Sequence, residues 1–344
     1  MKPHILSFGI DTLTEILLNI CHKPFHVKQI LQWIFKHHVS DFHKMTNISK
    51  ELQSILSNEF NTDLPTIIDI RKSTDSTAKF LLKLSDNELI EMVYMPGEKK
   101  NTICISTQVG CSRQCAFCAT AISGLKRNLN QDEIIAQLII ALNHFKEDKI
   151  TNIVLMGMGE PLDNYENVVN SIKLIQAESG FCFSGRRITI STCGVVPKIL
   201  ELAESGLKIK LAVSLNSAIN KKRDEIMPIN KIYPLNELKN ALLTFRKKTN
   251  FRITFEYIMI SNLNMGDEDI KALSKFCGDI SCKINLINLN EVNELPWKRP
   301  RADQVSLFMQ GLQHIPAAIT LRKSRGEDIA GACGQLRGAY NNEH

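Results

Sequence analysis

Apolar side chains recur at helical spacing in the N-terminal part of the chain. They fall every three or four positions across residues 13–20 and again across residues 27–34. Pro24 separates the two sets, because proline is not tolerated inside a helix. A third helix is predicted to begin after Ser49, whose side chain is suited to capping a helix N-terminus. Residues 1–62 are therefore predicted to form a helical accessory domain.

The apolar pattern changes to a period of two after this helical domain. Residues 67–70, 80–84 and 89–94 have the alternation and composition of short strands. The run PGEKK at residues 96–100 then has the composition of a boundary loop. Residues 63–100 are predicted to form a small β linker segment.

From residue 101 onward, strand patterns alternate with helix patterns. The six predicted strands are residues 102–106, 152–156, 187–191, 210–214, 253–260 and 284–289. The helical patterns between them include residues 132–145, 197–205 and 235–246, and residues 317–321 are predicted as a late edge strand. This alternation predicts an α/β fold with a parallel sheet, here a partial (βα)6 TIM-like barrel over residues 101–344. In such barrels, functional groups lie after the carboxyl ends of the strands.

Composition indicates the broad class and the compartment of the protein, but it does not indicate a reaction. The chain has 344 residues, of which 44% are hydrophobic and 23% charged, as in ordinary globular proteins. No stretch approaches the roughly 20 apolar residues of a membrane span, and the N-terminus lacks a signal-peptide pattern. Ten cysteines without an export signal indicate a reducing compartment. We therefore expect a cytoplasmic protein with no membrane partner.

The charge balance is mildly basic, with a net charge of +6 and a pI of about 8.7. A polyanionic partner fits this balance, and so does a solvated surface that happens to be positive. Six of the nine histidines and Trp33 lie within residues 1–62. The helical domain could therefore contact RNA, or it could present an ordinary solvated face.

Three cysteines form the most informative motif of the sequence. Cys111, Cys115 and Cys118 have the spacing Cys-x3-Cys-x2-Cys, which can hold three irons of a [4Fe–4S] cluster. The fourth iron then lacks a protein ligand and is open to S-adenosylmethionine (SAM), as in radical SAM enzymes. A zinc site would need a fourth ligand, and no second cysteine pair lies nearby. Inert core thiols are an alternative, but the polar residues 112–114 between them do not suit a core.

Other polar residues lie at the predicted carboxyl ends of strands. Gly159 and Glu160 belong to the run GMGEP at residues 157–161, where glycines allow close approach and a carboxylate could bind a ligand ammonium. A plain strand-to-helix turn accounts for the same run. The remaining residues at this predicted rim are Ser191, Ser214, Leu215, Asn216 and Asn290. Loops begin at such positions in any barrel, so each of them alone could be an ordinary loop residue.

Two cysteines outside the cluster motif also have a distinctive setting. Cys333 lies between small residues in the run GACG, which suits a reacting thiol better than a packed one. A structural thiol remains an alternative. Cys104 lies on the first predicted barrel strand, seven residues before Cys111.

Four sequence runs together resemble the RlmN/Cfr family of radical SAM RNA methyltransferases. They are TICISTQVGCSRQCAFCAT at residues 102–120, KRNL at 126–129, GMGEP at 157–161 and ACGQL at 332–336. The resemblance extends over about residues 90–338 and is looser before them. It implies a radical SAM barrel that binds one [4Fe–4S] cluster through three cysteines, with an exchangeable SAM on the open iron.

The resemblance also implies a ping-pong methyl transfer that uses two SAM molecules per turnover. One SAM would methylate Cys333, and the second would give a radical that takes hydrogen from this methyl group. The resulting carbon would add to adenine, and Cys104 would release the product through a transient disulfide with Cys333. Glu91 matches the proton acceptor of the family. The implied SAM contacts are Gly159, Glu160, Ser191, Ser214, Leu215, Asn216 and Asn290, although the family commonly has histidine in place of Asn216.

The implied substrate is an adenine in the peptidyl-transferase centre of 23S rRNA, modified at C2, and also an adenine beside the anticodon of some tRNAs. Cfr-type members modify C8 of the same rRNA adenine instead. The runs LRKSRGEDI at residues 321–329 and QVG at 108–110 favour C2. An electron donor such as flavodoxin is implied as a partner.

Two other functional classes fit the sequence less well. A module that only transfers electrons would be expected to have a fourth cysteine ligand. A radical SAM enzyme for protein or small molecules would not need the mildly basic N-terminal domain.

Overall fold

A computed structural model describes residues 2–338 of the chain. Its N-terminal part contains helices α1 (Ile10–Cys21), α2 (Pro24–Phe35) and α3 (Lys50–Glu59). Pro24 is the first residue of α2, where proline lacks only an N–H that would be unpaired anyway. The Ser49 hydroxyl accepts a hydrogen bond of 3.2 Å from the Leu52 N–H and so caps α3. Both sequence signals act as expected.

The next three strands form an antiparallel meander that joins the barrel. They are β1 (Thr66–Lys72), β2 (Ala78–Lys83) and β3 (Leu89–Met95), and β3 pairs antiparallel with β4 (Asn101–Cys104). The sheet is therefore continuous across the expected boundary at residue 100. The division into 1–62, 63–100 and 101–344 stays a prediction, and its first residue and last six residues lie outside the described part.

The remaining elements alternate as the sequence pattern indicates. In chain order they are β5 (Gln108–Gly110), α4 (Ala119–Ile122), β6 (Leu125–Asn128), α5 (Gln131–His144), β7 (Ile150–Leu155), α6 (Tyr165–Gln176), β8 (Ile188–Thr192), α7 (Val196–Glu204), β9 (Lys210–Ser214), α8 (Asn220–Ile226), α9 (Ile229–Ile232), α10 (Leu235–Thr249), β10 (Ile253–Met259), α11 (Asp267–Cys277), β11 (Cys282–Asn288), α12 (Ala302–Gly311) and β12 (Ala318–Arg322). Short 3-10 turns occur at Ile5–Ser7, Phe42–Lys44, Pro161–Asn164, Gly185–Arg187 and Glu327–Ile329.

Parallel pairing confirms the partial barrel. The ten-stranded sheet has the order β1-β2-β3-β4-β7-β8-β9-β10-β11-β12, and the strands from β4 onward pair in parallel. The predicted late edge strand is β12. The segments between successive strands from β4 to β12 carry the helices, so the six expected βα units are present. The short strands β5 and β6 form a separate hairpin.

Alternation along the strands separates the outer core from the barrel interior. On β10, Phe255 and Tyr257 are fully buried and pack their rings against Phe276 of α11 and Phe308 of α12. Because successive side chains point to opposite faces, Glu256 between them faces the interior. Outward positions thus form the apolar core, and inward positions are free to carry polar groups.

The N-terminal helical domain packs on the outside of the barrel. The Gln131 amide on α5 donates to the carbonyls of Leu6 and Phe8, at 2.8 and 3.0 Å. The rings of Phe35 and Phe181 meet edge to face, with centroids 5.2 Å apart. No helix within residues 2–338 is long and apolar enough to cross a membrane.

After β12 the chain crosses back to the meander at the opposite edge of the sheet. We refer to residues 323–338 as the C-terminal strap. The Gly326 N–H donates to Asp75 Oδ2 at 3.3 Å, and the Ser73 hydroxyl donates to Asp328 Oδ1 at 2.5 Å. The strap therefore connects β12, the last strand of the sheet, to the meander of β1, β2 and β3. Cys333 is a residue of this strap.

Candidate active site

A hairpin presents the three-cysteine loop. Strands β5 and β6 pair on either side of it, and the Cys111 N–H donates to the Gly124 carbonyl at 2.9 Å. Gly110 has φ +80°, and a Cβ there would lie 1.8 Å from the Gly124 oxygen. Only glycine satisfies both conditions, so the entry to the loop depends on this residue.

The three cysteines lie close enough for their charges to interact. Burial raises the pKa of Cys111 to about 12, and the negative charges of Glu160 and Cys118 add to the rise. Burial also raises the pKa of Cys115, with further contributions from Cys118 and Cys111. Bound iron would relieve this repulsion between thiolates. Within residues 2–338, no three His, Cys, Asp or Glu side chains are arranged to hold a single metal ion. A four-iron cluster does not require this arrangement, because each cysteine binds a different iron.

An ion pair fixes the cysteine loop to the neighbouring rim. Arg113 Nε donates to Asp163 Oδ2 at 2.6 Å, and its NH2 group makes a second, shorter bond to the same carboxylate. Asp163 belongs to the turn Pro161–Asn164, directly after the GMGEP run. The Ala116 N–H also donates to the Ile226 carbonyl at 2.9 Å. The loop is thus bonded to the segments that follow β7 and β9.

Glu160 is buried and connects two rim loops. Its Oε1 accepts from the Leu162 N–H at 3.0 Å, and its Oε2 accepts from the Cys193 N–H at 2.7 Å. Burial raises the pKa of Glu160, while the hydrogen bonds from Cys193 and Leu162 oppose the rise. Gly159 has φ +103°, and a Cβ there would lie 2.6 Å from Gln108 Cβ. The GMGEP motif therefore has a structural role in joining these loops. Its contact with SAM stays a prediction.

The serines of the rim lie on the interior face of the sheet. Ser214 is opposite Glu256 in the register of β9 and β10, and Ser191 is opposite Ala212 in that of β8 and β9. Leu215 follows Ser214 and is fully buried. Both serines are half-buried and remain candidates for SAM contacts.

Asn216 uses its side chain inside the protein. Its Oδ1 accepts from the Ile258 N–H at 2.9 Å, and its Nδ2 lies 3.2 Å from the Met227 sulfur. The residue is fully buried with φ +56°, a backbone region that asparagine tolerates. An asparagine is therefore suited to this position because its side chain bonds to the loop and its backbone accepts a positive φ. Its contact with SAM stays a prediction.

Arg223 organises the same rim from α8. It is fully buried, and its guanidinium donates to the carbonyls of Leu215 at 3.0 Å, Ser214 at 3.2 Å and Cys193 at 2.6 Å. Burial lowers its pKa to about 10, so it keeps its charge at neutral pH. The run NKKRDE at residues 220–225 has the composition of a solvated helix, so no local pattern indicated this role for Arg223.

Cys104 and Cys333 lie close enough for the charge of Cys333 to act on Cys104. Cys104 ends β4; burial raises its pKa to about 12, and the charge of Cys333 adds to the rise. The pKa of Cys333 is also raised, because surrounding protein displaces water from its sulfur even though the residue as a whole is exposed. The charges of Arg322, Glu256 and Cys118 also act on Cys333. Cys333 therefore lies between the cysteine loop and the interior polar groups.

Two buried oxygens near Cys333 are left for a ligand. Asn290 Nδ2 donates to the Cys333 carbonyl at 3.0 Å, whereas its Oδ1 has no partner among the described residues. Glu256 Oε1 accepts from Asn285 at 2.9 Å, and its Oε2 likewise has no partner in residues 2–338. Buried acceptors of this kind require donors. The amino group, ribose hydroxyls and ammonium of SAM are donors, so the polar groups present fit that cofactor.

Glu91 joins the meander to the C-terminal strap. Its Oε1 lies 2.9 Å from Lys79 Nζ, and both side chains are buried. Its Oε2 accepts from the backbone N–H groups of Arg337 at 2.7 Å and Gly338 at 3.2 Å. The predicted proton acceptor is thus held against the segment that carries Cys333. A lysine within the apolar run of residues 78–82 was a sequence signal that could have revealed its partner.

Two family models match the chain. The Radical SAM superfamily model covers residues 105–276, and the model of the ribosomal RNA large subunit methyltransferase N-terminal domain covers residues 4–61. The first match covers the barrel from the end of β4 to α11, and the second covers the helical domain.

Curated relatives and a solved structure match almost the whole chain. A probable dual-specificity RNA methyltransferase RlmN of Clostridium botulinum (strain Eklund 17B / Type B) is 45% identical over 338 residues, covering 98% of this chain and 97% of the relative. The protein of the same description from Dictyoglomus turgidum is 43% identical over 339 residues, covering 98% and 97%. The crystal structure of a radical SAM methyltransferase from Sphaerobacter thermophilus is similar with a TM-score of 0.94 and 36% identity, covering 98% of this chain and 100% of that one.

Proposed function

This chain belongs to the RlmN family of radical SAM RNA methyltransferases, and on that basis we propose that it methylates C2 of an adenine in the peptidyl-transferase centre of 23S rRNA. We propose the same modification for the adenine 3′ of the anticodon in some tRNAs. The observation that carries this proposal is the position of Cys333. Its neighbour Gly334 accepts a hydrogen bond of 2.7 Å from the Ala119 N–H, directly after the three-cysteine loop, and the charge of Cys333 acts on Cys104. A radical SAM enzyme that only takes a hydrogen atom from its substrate would not require this second pair of thiols.

Radical SAM family members use a [4Fe–4S] cluster and SAM, and the residues present fit both. Cys111, Cys115 and Cys118 would hold three irons, and Glu160, Ser191, Ser214, Asn216 and Asn290, with the backbone of Gly159 and Leu215, would hold SAM. When bound, the two cofactors supply a 5′-deoxyadenosyl radical. The protein binds, orients and shields this chemistry.

Cys333 serves as the methyl carrier in this proposal. Its thiol first takes a methyl group from one SAM molecule, so two SAM molecules are used per turnover. The methyl carbon would lose a hydrogen atom to the 5′-deoxyadenosyl radical and bond to C2 of adenine. The one electron that the ring radical gives up would return to the cluster, which is left oxidised when SAM is cleaved. The place of Cys333 on the strap supports this role, because the bond from the Ala119 N–H to the Gly334 carbonyl holds it directly beside the three-cysteine loop.

Cys104 and Glu91 complete the release of the product. The Cys104 thiolate attacks the Cys333 sulfur, so a disulfide forms and the sulfur–carbon bond breaks with its electron pair left on carbon. That carbon takes a proton and becomes the methyl group, while Glu91 accepts the proton lost from C2. A dithiol reductant then restores both thiols. An electron donor such as flavodoxin and a cytoplasmic location belong to the same proposal.

Mass spectrometry of 23S rRNA tests the proposal. Anaerobic protein with a reconstituted cluster, a reductant and SAM is expected to convert the substrate adenine to 2-methyladenosine. Cys333→Ala should abolish the product, whereas Cys182→Ala, at another exposed cysteine, should not. Formation of 8-methyladenosine would show the Cfr-type activity instead, and methylation by Cys333→Ala would refute the carrier role.

A further inference from the structure

Lys79 is a buried cation whose role neither the sequence motifs nor the proposed steps require. It lies on β2 with 8% of its side chain exposed. Its ammonium is 2.9 Å from Glu91 Oε1 and 3.2 Å from the Ala330 carbonyl. A buried ammonium needs acceptors, and these two come from the meander and from the strap. Lys79 therefore touches both Glu91 and the segment that carries Cys333.

The strap is held on both sides of Cys333. Ala330, before Cys333, is bound by Lys79, and the N–H groups of Arg337 and Gly338, after it, are bound by Glu91 Oε2. The cysteine loop adds bonds within the same interval, from the Ala119 N–H to the Gly334 carbonyl at 2.7 Å and from Thr120 Oγ1 to the Leu336 carbonyl at 2.7 Å. The strap thus donates two hydrogen bonds to Oε2, the second oxygen of Glu91.

The two oxygens of Glu91 consequently have different partners. For Oε2 to take a proton, it must lose the N–H groups of Arg337 and Gly338, so the strap must move away from it. Oε1 keeps its bond to Lys79, because both residues lie on neighbouring strands of one sheet. The Lys79 bond is the contact that can hold the carboxylate in place during this change.

We infer that Lys79 is a positioning residue for the proton-accepting step: it holds Glu91 Oε1, so that Oε2 faces the adenine ring once the strap has moved. This inference rests on the proposed function, in which Glu91 takes the C2 proton. Lys79 itself touches neither the RNA nor the cofactors in this scheme. Its loss should therefore spare radical formation and impair only the later release of the product.

The test compares Lys79→Met with Lys83→Met, at an exposed lysine of the same strand. Cluster-loaded protein, SAM, reductant and an rRNA fragment are incubated anaerobically, and 5′-deoxyadenosine, 2-methyladenosine and covalent protein–RNA adduct are measured. Lys79→Met should form 5′-deoxyadenosine as the wild type does but lose about tenfold or more of its methylated product, with adduct accumulating. Lys79→Arg, which keeps the cation, should recover most of the product.

Hydrogen exchange gives a second readout that needs no RNA. In the wild type, the amides of Arg337 and Gly338 should be protected, and Lys79→Met should raise their exchange rates about tenfold because Glu91 is no longer fixed. Equal product, adduct and exchange in Lys79→Met and Lys83→Met would overturn the inference. If Lys79→Met does not fold, Lys79→Gln carries the same comparison. If the wild type makes 5′-deoxyadenosine but no methylated RNA, the proposed function fails, and the exchange data still test whether Lys79 fixes Glu91.

Discussion

The Asn290 amide donates to the Cys333 carbonyl at 3.0 Å, while its buried oxygen has no partner among the described residues. One side chain therefore anchors the strap and offers an acceptor to a ligand beside it. A ligand that bound this oxygen would therefore contact the same side chain that holds the Cys333 carbonyl.

Asn290→Leu should weaken SAM binding, because it removes the acceptor and leaves the Cys333 carbonyl without its donor. We expect the KM for SAM to rise about tenfold, as for the loss of a buried hydrogen bond. Asn293→Leu, at an exposed position of the same loop, is the matched control. An unchanged KM, measured through 5′-deoxyadenosine formation, would argue against the role of Asn290.

Cys104→Ala should trap the enzyme on its RNA, because no thiol remains to attack Cys333. A covalent adduct is expected on denaturing gels, and Cys182→Ala should give none. An adduct-free Cys104→Ala that still forms 2-methyladenosine would remove the resolving role of Cys104.

Release of the adduct by the wild type should speed up with pH. The attacking species is the thiolate, and the pKa of Cys104 is raised to about 12, with burial as the largest cause. In the adduct the Cys333 sulfur carries no charge, so burial alone keeps the pKa of Cys104 above its ordinary value. Below that pKa the thiolate fraction grows with pH, so the release rate should rise about a hundredfold from about pH 7 to about pH 9. A rate that levels off within this interval, in rapid-quench experiments on a preformed adduct, would contradict the raised pKa.

Arg223→Met should destabilise the rim that surrounds the interior. It leaves the carbonyls of Leu215, Ser214 and Cys193 without their donor, and the free energy of unfolding should fall by about 3 kcal/mol or more. Lys221→Met, at an exposed position of the same helix, should be nearly neutral in urea unfolding. Arg223→Lys should rescue little, since an ammonium cannot reach several acceptors in one plane.

Gly110→Ala should prevent cluster assembly, whereas Gly124→Ala should permit it. Both glycines have positive φ, but a Cβ at Gly110 meets the Gly124 carbonyl at 1.8 Å, and one at Gly124 meets no atom within 4 Å. The second variant should therefore show only the backbone cost of about 1–2 kcal/mol. Iron content per chain measures the outcome, and equal iron in the two variants would refute the steric argument.

Local patterns predicted the features that depend on neighbouring residues. Strand and helix periodicity located the six βα units, and Ser49 marked the start of α3 because capping is a local interaction. The spacing of Cys111, Cys115 and Cys118 identified their loop, since one short segment carries all three.

Contacts between distant segments could not be predicted in this way. Lys79 meets Ala330 across 251 positions, and Arg223 meets carbonyls on two other loops. No local motif marks Lys79 or Arg223, because their contacts form only when distant segments of the sheet pack together. The proton-acceptor assignment of Glu91 came from family resemblance, and its bonds to Lys79 and to the strap came only from the structure.

The strap that joins the two edges of the sheet has a consequence for synthesis of the protein. Translation proceeds from the N-terminus, so the meander and the barrel strands emerge before residues 323–338. Until the strap emerges, Lys79 and Glu91 lack the backbone groups of Ala330, Arg337 and Gly338. A nascent chain therefore has its three-cysteine loop before it has Cys333. The strap can close the fold only after all the strands that it joins have been made.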